Sequence, residues 1–184
     1  MNYELLFNII PKYAEDISHN LKALVENHDP LSDSQFAGSI LVAAIASKNE
    51  RLTAQIQTLL APFLTRTELN SAYAASSLMA MTNIYYRFVD LVSDKSYLTM
   101  PTGLRMNILK SHGGNNLDFE MWALVVSVIN GCHRCTEAHE NALIKEYGIT
   151  KKTIQLLAKI AALIHSLATI QNIEQLNNNS EHLS

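Results

Sequence analysis

Residues 119–143 read FEMWALVVSVINGCHRCTEAHENAL. The first part is apolar on nearly every side, the spacing of a buried helix. A break follows at Asn130 and Gly131, and the next stretch has the three- and four-residue apolar steps of an amphipathic helix ending at Gly148. The same order occurs earlier. Laid over residues 36–60, FAGSILVAAIASKNERLTAQIQTLL, at an offset of 83 residues, Phe36 meets Phe119, Leu41 meets Leu124, Arg51 meets Arg134 and Leu60 meets Leu143. Thr67 meets Thr150 as the next expected cap. A helix–break–helix–cap order repeated at one spacing reads as an internal duplication.

Outward from this pair the chain stays helical. LSDSQFAGSILVAAIAS opens with Ser and Asp cap candidates, and Thr65 with Glu68 has capping-box spacing ahead of a long helix through Leu91. GLRMNILKS reads as a shorter helix stopped by Gly113 and Gly114, and Thr150 caps a last helix. Strand patterns are nearly absent. The expected fold is all-α, one domain over residues 1–176, with a first repeat at about 33–90, a second at about 115–175 and a polar tail at 177–184.

Composition narrows the function classes. With 184 residues and 48% hydrophobic content the chain can bury a core without staples. A net charge of −3 with no basic run argues against nucleic acid. No apolar run is read as a membrane span, and MNYELLFNIIPKY lacks the basic start of a signal peptide, so a cytoplasmic location is expected. In that compartment a lone Cys pair points to catalysis or metal binding rather than a permanent staple.

The first half has Asn49, Leu52 and Ile56 where the second has Cys132, Cys135 and His139. The break at Gly131 puts Cys132 in the first turn of a helix, where free N–H groups favour a thiolate, and C-x-x-C spacing there permits an internal disulfide. Cys135 and His139 are one turn apart on one face. Glu120, on the preceding helix, can reach back to orient the imidazole or relay its proton if the two helices form a hairpin. Arg134 is a candidate thiolate stabiliser. A zinc site of Cys132, Cys135, His139 and either Glu120 or His133 is the competing chemistry, but structural zinc ordinarily takes two separated ligand pairs and no second pair exists, so no metal is expected. Two buried small residues without chemistry are the bland alternative. His28, His112, His165 and His182 belong to no constellation, and the residues of LMAMTNIYYRF read as core or subunit interface.

The pattern Glu120, Cys132, Cys135, His139, in the context W-A…S-x-I-N-G-C, resembles the AhpD alkyl hydroperoxidases within the carboxymuconolactone decarboxylase-like superfamily. The resemblance implies an all-helical fold with an internal repeat and a thiol-dependent peroxidase that needs no organic cofactor. It also implies disulfide reduction for an AhpC-type peroxiredoxin, a lipoyl-bearing protein as dithiol reductant, and a trimer. By the same resemblance Cys135 is the cysteine oxidised to sulfenic acid and Cys132 the one that resolves it. Where the family has a His directly before the second Cys, this chain has Arg134, and its His133 is one place earlier. One helical position is a rotation of about 100°, so His133 does not substitute for that His. Besides the peroxidase, a disulfide reductase only and a redox-sensing protein without turnover stay open; the superfamily's decarboxylase branch needs no Cys pair, and the intact C-x-x-C argues against it.

Overall fold

The computed structural model describes residues 10–181, with side chains to residue 178. The N-terminal stretch read for a leader lies largely outside this range. Seven α-helices and no strand are found among the described residues: α1 (Glu15–Glu26), α2 (Asp33–Ala46), α3 (Glu50–Leu60), α4 (Arg66–Leu91), α5 (Asn116–Ile129), α6 (His133–Lys145) and α7 (Lys151–Glu181).

Two of them form the centre. In α2 every residue from Phe36 to Ala44 is buried, and α5 is buried at Asp118, Phe119 and throughout 121–127. A helix apolar all round must be surrounded. Accordingly α2 and α5 pack on each other, and α4 and α7 each pack on both. The two central helices meet closely at Gly38. The Trp122 indole, fully buried, occupies the space a Cβ would take, and its Nε1–H donates to the Gln35 carbonyl at 3.3 Å. One turn away Gln35 Nε2 donates to Asp118 Oδ1 at 2.8 Å. Burial pushes the Asp118 carboxyl above its ordinary range and the Glu68 charge adds to this, while the Gln35 bond opposes it.

The repeat is explicit in the backbone. Adding 83 to the bounds of α2 gives those of α5 (33 to 116, 46 to 129), and the start of α3 becomes the start of α6 (50 to 133). Gln35 and Asp118 are themselves equivalent positions, and they touch, so the pseudo-symmetry axis passes between them. The register then slips by two. Thr65, not Thr67, caps α4 through the Glu68 N–H, with the full capping box present, whereas Thr150 caps α7 through the Thr153 N–H (65 to 150, an offset of 85). Thr67 lies inside α4.

Three further expectations change. GLRMNILKS holds only a 3-10 turn, Asn107–Lys110; Pro101 and the left-handed Gly103 precede it and left-handed Gly113 follows, leaving too few residues for a cooperative helix. The last helix continues to Glu181, into the segment read as a polar tail; residues 182–184 lie outside the described range. Contrary to the reading that no apolar run is long enough, Lys151–Asn178 is by length and composition long and apolar enough to cross a bilayer, with an 18-residue window of mean hydropathy 1.5. Here half of that apolar window is buried against protein, the position of a core helix.

The Gly38 contact gives a direct test. Gly38→Ala forces a methyl into the indole of a residue with no free space, and overpacking of this kind costs about 1–3 kcal/mol. Denaturant unfolding of the variant should show that loss, with the m-value unchanged.

Candidate active site

The site starts from the path of the chain between α5 and α6. Asn130 ends α5 in helical conformation (φ −75°, ψ −7°), Gly131 is left-handed (φ 65°) and Cys132 is extended (φ −90°, ψ 98°). The first half takes the same path through Ser47 (φ −76°, ψ −5°), Lys48 (φ 56°) and Asn49 (φ −109°, ψ 107°). Asn49 caps α3, its Oδ1 accepting the Leu52 N–H at 2.7 Å. Cys132 caps α6 in the same way, its sulfur accepting the Cys135 N–H at 3.3 Å. Cys132 therefore stands at the N-cap, not in the first turn, because the left-handed Gly131 delays the helix by one residue. Its sulfur still lies where the free N–H groups and the helix dipole converge.

Cys132 and Cys135 are joined as a disulfide, with Cα atoms 5.3 Å apart. The two sulfurs have different surroundings. Cys132 is wholly buried, whereas Cys135 retains 6% exposure and lines a cavity of about 460 Å³ between α4 and α6. The cavity wall is mostly apolar: Leu78, Met79 and Tyr86 from α4, and Met106 and Leu109 from the segment before α5. His139 lies on the same wall as Cys135.

The α5–α6 hairpin brings Glu120 and His139 together, with Nδ1 2.7 Å from Glu120 Oε2. Glu120 is the fifth residue of α5 rather than its start. Asn115 caps that helix, accepting the Leu117 N–H at 2.8 Å, so the Glu120 carboxylate is not used in capping. A carboxylate accepts, so Nδ1 donates, and Nε2 is the nitrogen left to exchange a proton. Nε2 lies 3.2 Å from Met79 Sδ.

Arg134 also lines the cavity, but its guanidinium is engaged: Nε and Nη2 both donate to Asp90 Oδ1, at 3.2 and 2.8 Å. Its charge is thus shared with a carboxylate before any thiolate forms. His133 is exposed and lines an outer groove with Gly131 and Thr136 instead of the cavity. His133 is thus apart from His139, another member of the zinc set, and among the described residues no group of three or more His, Cys, Asp or Glu side chains is placed to hold a metal ion. The remaining histidines in the described range have structural partners. His28 stacks on Phe36, His112 stacks on Phe119 and bonds Ser71, and His165 meets Ser47; His182 lies outside that range.

Sequence reasoning missed the contribution of α4. Met79 touches His139. Asn83 donates to Ser127 Oγ and accepts from Asn130 Nδ2, both at 3.0 Å. Arg87 donates to the Asn130 carbonyl at 2.7 Å, and Asp90 holds Arg134. Residues 79, 83, 87 and 90 form one stripe at helical spacing. In the sequence this stripe was readable only as three polar residues placed every third or fourth position in a segment otherwise taken for core or interface.

Comparison with known proteins agrees with the geometry. The carboxymuconolactone decarboxylase family profile matches residues 96–175. A protein of Bradyrhizobium sp. (strain BTAi1) named alkyl hydroperoxide reductase AhpD is 42% identical over 168 residues, covering 91% of this chain and 92% of its own. Proteins of the same name from Acidobacterium capsulatum and Azorhizobium caulinodans are 37% and 39% identical, covering 96% and 91% of this chain and 96% and 92% of their own.

The α4 stripe makes a stability prediction. Asn83 is 1% exposed and Ser127 is fully buried. Replacing Asn83 with Ala leaves Ser127 Oγ and the Asn130 amide without that partner, and an orphaned buried polar group costs about 1–3 kcal/mol. Chemical denaturation of Asn83→Ala should show that loss.

Proposed function

The chain belongs to the AhpD family of alkyl hydroperoxide reductases, and we propose that it reduces hydroperoxides by a dithiol–disulfide cycle at Cys132 and Cys135. The observation that carries this reading is the asymmetry of the pair: one sulfur faces an apolar cavity beside a Glu–His dyad, and the other is buried at a helix cap.

His139, oriented by Glu120, takes the Cys135 proton. The thiolate attacks the outer oxygen of ROOH; the O–O bond breaks, ROH leaves with a proton and Cys135 becomes a sulfenic acid. The Cys132 sulfur displaces water from it and closes the bridge. A dithiol then reopens the bridge by attacking Cys135, the residue that lines the cavity, and expels Cys132. The Cys135 N–H already pointing at Cys132 stabilises that leaving thiolate, and a more stable thiolate leaves faster. The sum is ROOH plus a dithiol giving ROH, water and a disulfide.

The mostly apolar wall favours organic hydroperoxides. In this reading the electrons come from a lipoyl-bearing dithiol and the protein also serves an AhpC-type peroxiredoxin in the cytoplasm. A homo-oligomer, a trimer by family likeness, would cover the large apolar side chains left exposed on the outer part of α4, Ile84, Phe88 and Leu91. The second reading, disulfide reduction alone, is favoured by Arg134, which stands in place of the family His, is tied to Asp90 and cannot shuttle protons.

Peroxide consumption by purified protein with a dihydrolipoyl reductant, set beside reduction of an oxidised peroxiredoxin, separates the two. In the first assay Cys135→Ser should be inactive, while Cys132→Ser undergoes a single oxidation trapped as sulfenic acid or beyond. Sulfenic acid on Cys132 in the Cys135→Ser protein, with the converse variant inert, reverses the assignment.

The dyad is tested separately. His139→Gln and Glu120→Gln should each slow peroxide reduction about 100- to 10,000-fold without lowering the melting temperature substantially. The double variant should lose little more, as groups acting as one unit do. Rate losses that multiply would remove Glu120 from the relay.

A further inference from the structure

Met79 is a reactive group that the peroxidase cycle does not use. It is 4% exposed, yet it lines the cavity on which Cys135 opens. Its sulfur accepts from more than one side, from Ser127 Oγ at 3.6 Å and from Asn83 Nδ2 and Thr82 Oγ1 at 3.7 Å, and His139 Nε2 lies 3.2 Å away. A thioether is a weak acceptor for so many donors. A sulfoxide oxygen in the same place would be a far stronger one.

We propose that Met79 is a peroxide-dependent modification site: an organic hydroperoxide held in the cavity while the Cys132–Cys135 bridge is closed oxidises it to methionine sulfoxide and stops turnover. This rests on the peroxidase reading given above. In the disulfide state Cys135 cannot attack, so the nucleophile remaining beside His139 is the Met79 thioether. Its sulfur lone pair attacks the outer oxygen of ROOH and the O–O bond breaks. The peroxide's own hydroxyl proton passes to the departing alkoxide, with His139 Nε2 within reach to relay it. The products are methionine sulfoxide and ROH, so oxygen and electrons balance with the hydroperoxide as sole oxidant. The new oxygen accepts from the neighbouring donors, and from Nε2 once His139 carries its second proton. His139 is then anchored to α4 and unavailable to Cys135 after the bridge is reduced. Enzymatic sulfoxide reduction reverses the lesion. The modification thereby reports a shortage of reductant, since a running cycle keeps Cys135 open to consume the peroxide first.

The test exposes the full-length disulfide form, without reductant, to cumene hydroperoxide and maps methionine oxidation by peptide mass over time. Met81 and Met100, 36% and 54% exposed, are internal standards for oxidation from bulk solution. Met79 sulfoxide should form ahead of both, and more slowly when reductant keeps the cycle turning. After the bridge is re-reduced, the peroxidase rate should fall in proportion to Met79 sulfoxide and return on treatment with methionine sulfoxide reductases A and B. Met79→Leu, compared with its own untreated rate, should lose the sensitivity. Oxidation of Met81 and Met100 with Met79 left intact overturns the proposal. So does equal inactivation of the Met79→Leu protein. The mapping is read without catalysis, so it decides the modification even if peroxide turnover itself proves absent.

Discussion

The contact between α2 and α5 is the constraint on which the molecule depends. Both helices are too apolar to face water, and each is the other's neighbour across a pseudo-symmetry axis marked by the Gln35–Asp118 bond. Gly38 lets the Trp122 indole close that gap, and the Trp122 N–H finds an acceptor on the opposite helix, so even the polar edge of the contact is satisfied. With the central pair fixed, α4 and α7 can only pack along its two sides. That brings α4 against the junction of α5 and α6, where the cysteines lie.

The two halves then use one backbone for different ends. Both have a helix, a left-handed residue, an extended capping residue and a second helix at matching positions. In the first half the cap is Asn49, which also donates to the Ala168 carbonyl and to Asn172 across to α7, and the positions of Cys135 and His139 are filled by fully buried Leu52 and Ile56. In the second half a sulfur does the capping. A helix cap is a place where N–H groups lack partners, which makes it a favourable seat for a thiolate without any added charge. One cap position thus carries an amide in the first half and a sulfur in the second.

Much of this was legible in the sequence, and the limits have physical causes. The central helices announced themselves by being apolar on all faces, and the caps at Thr65 and Thr150 by their chemistry. The proximity of Glu120 to His139 followed from a hairpin that the break at Gly131 implied. Cys132 was placed one residue too far into its helix because helix starts depend on a backbone angle that a Gly permits but does not dictate. The slip from 83 to 85 at the second cap was already legible in the Thr65–Glu68 capping box, while the fixed offset of the repeat pointed to Thr67 instead. The stripe of α4 was missed for a different reason. Met79 and Asn83 are distant in sequence from the cysteines, and periodicity says which face of a helix is buried, not what it is buried against.

The left-handed turns themselves differ in a way that bears on durability. Lys48 takes that conformation against the preference of a side-chain-bearing residue, at roughly 1–2 kcal/mol. Its half can carry that cost because the Asn49 side chain next to it is fastened by three bonds. At the matching position Gly131 holds the same backbone angle with no side chain opposing it. In the proposed cycle a covalent bond one residue away is made and cut in each turnover. A turn that leaned on the bridge to stay left-handed would relax whenever the bridge was cut and would have to be refolded before the next closure. With glycine the left-handed angle needs no support from the bridge, so in that cycle the turn holds no strain that cutting the bridge would release.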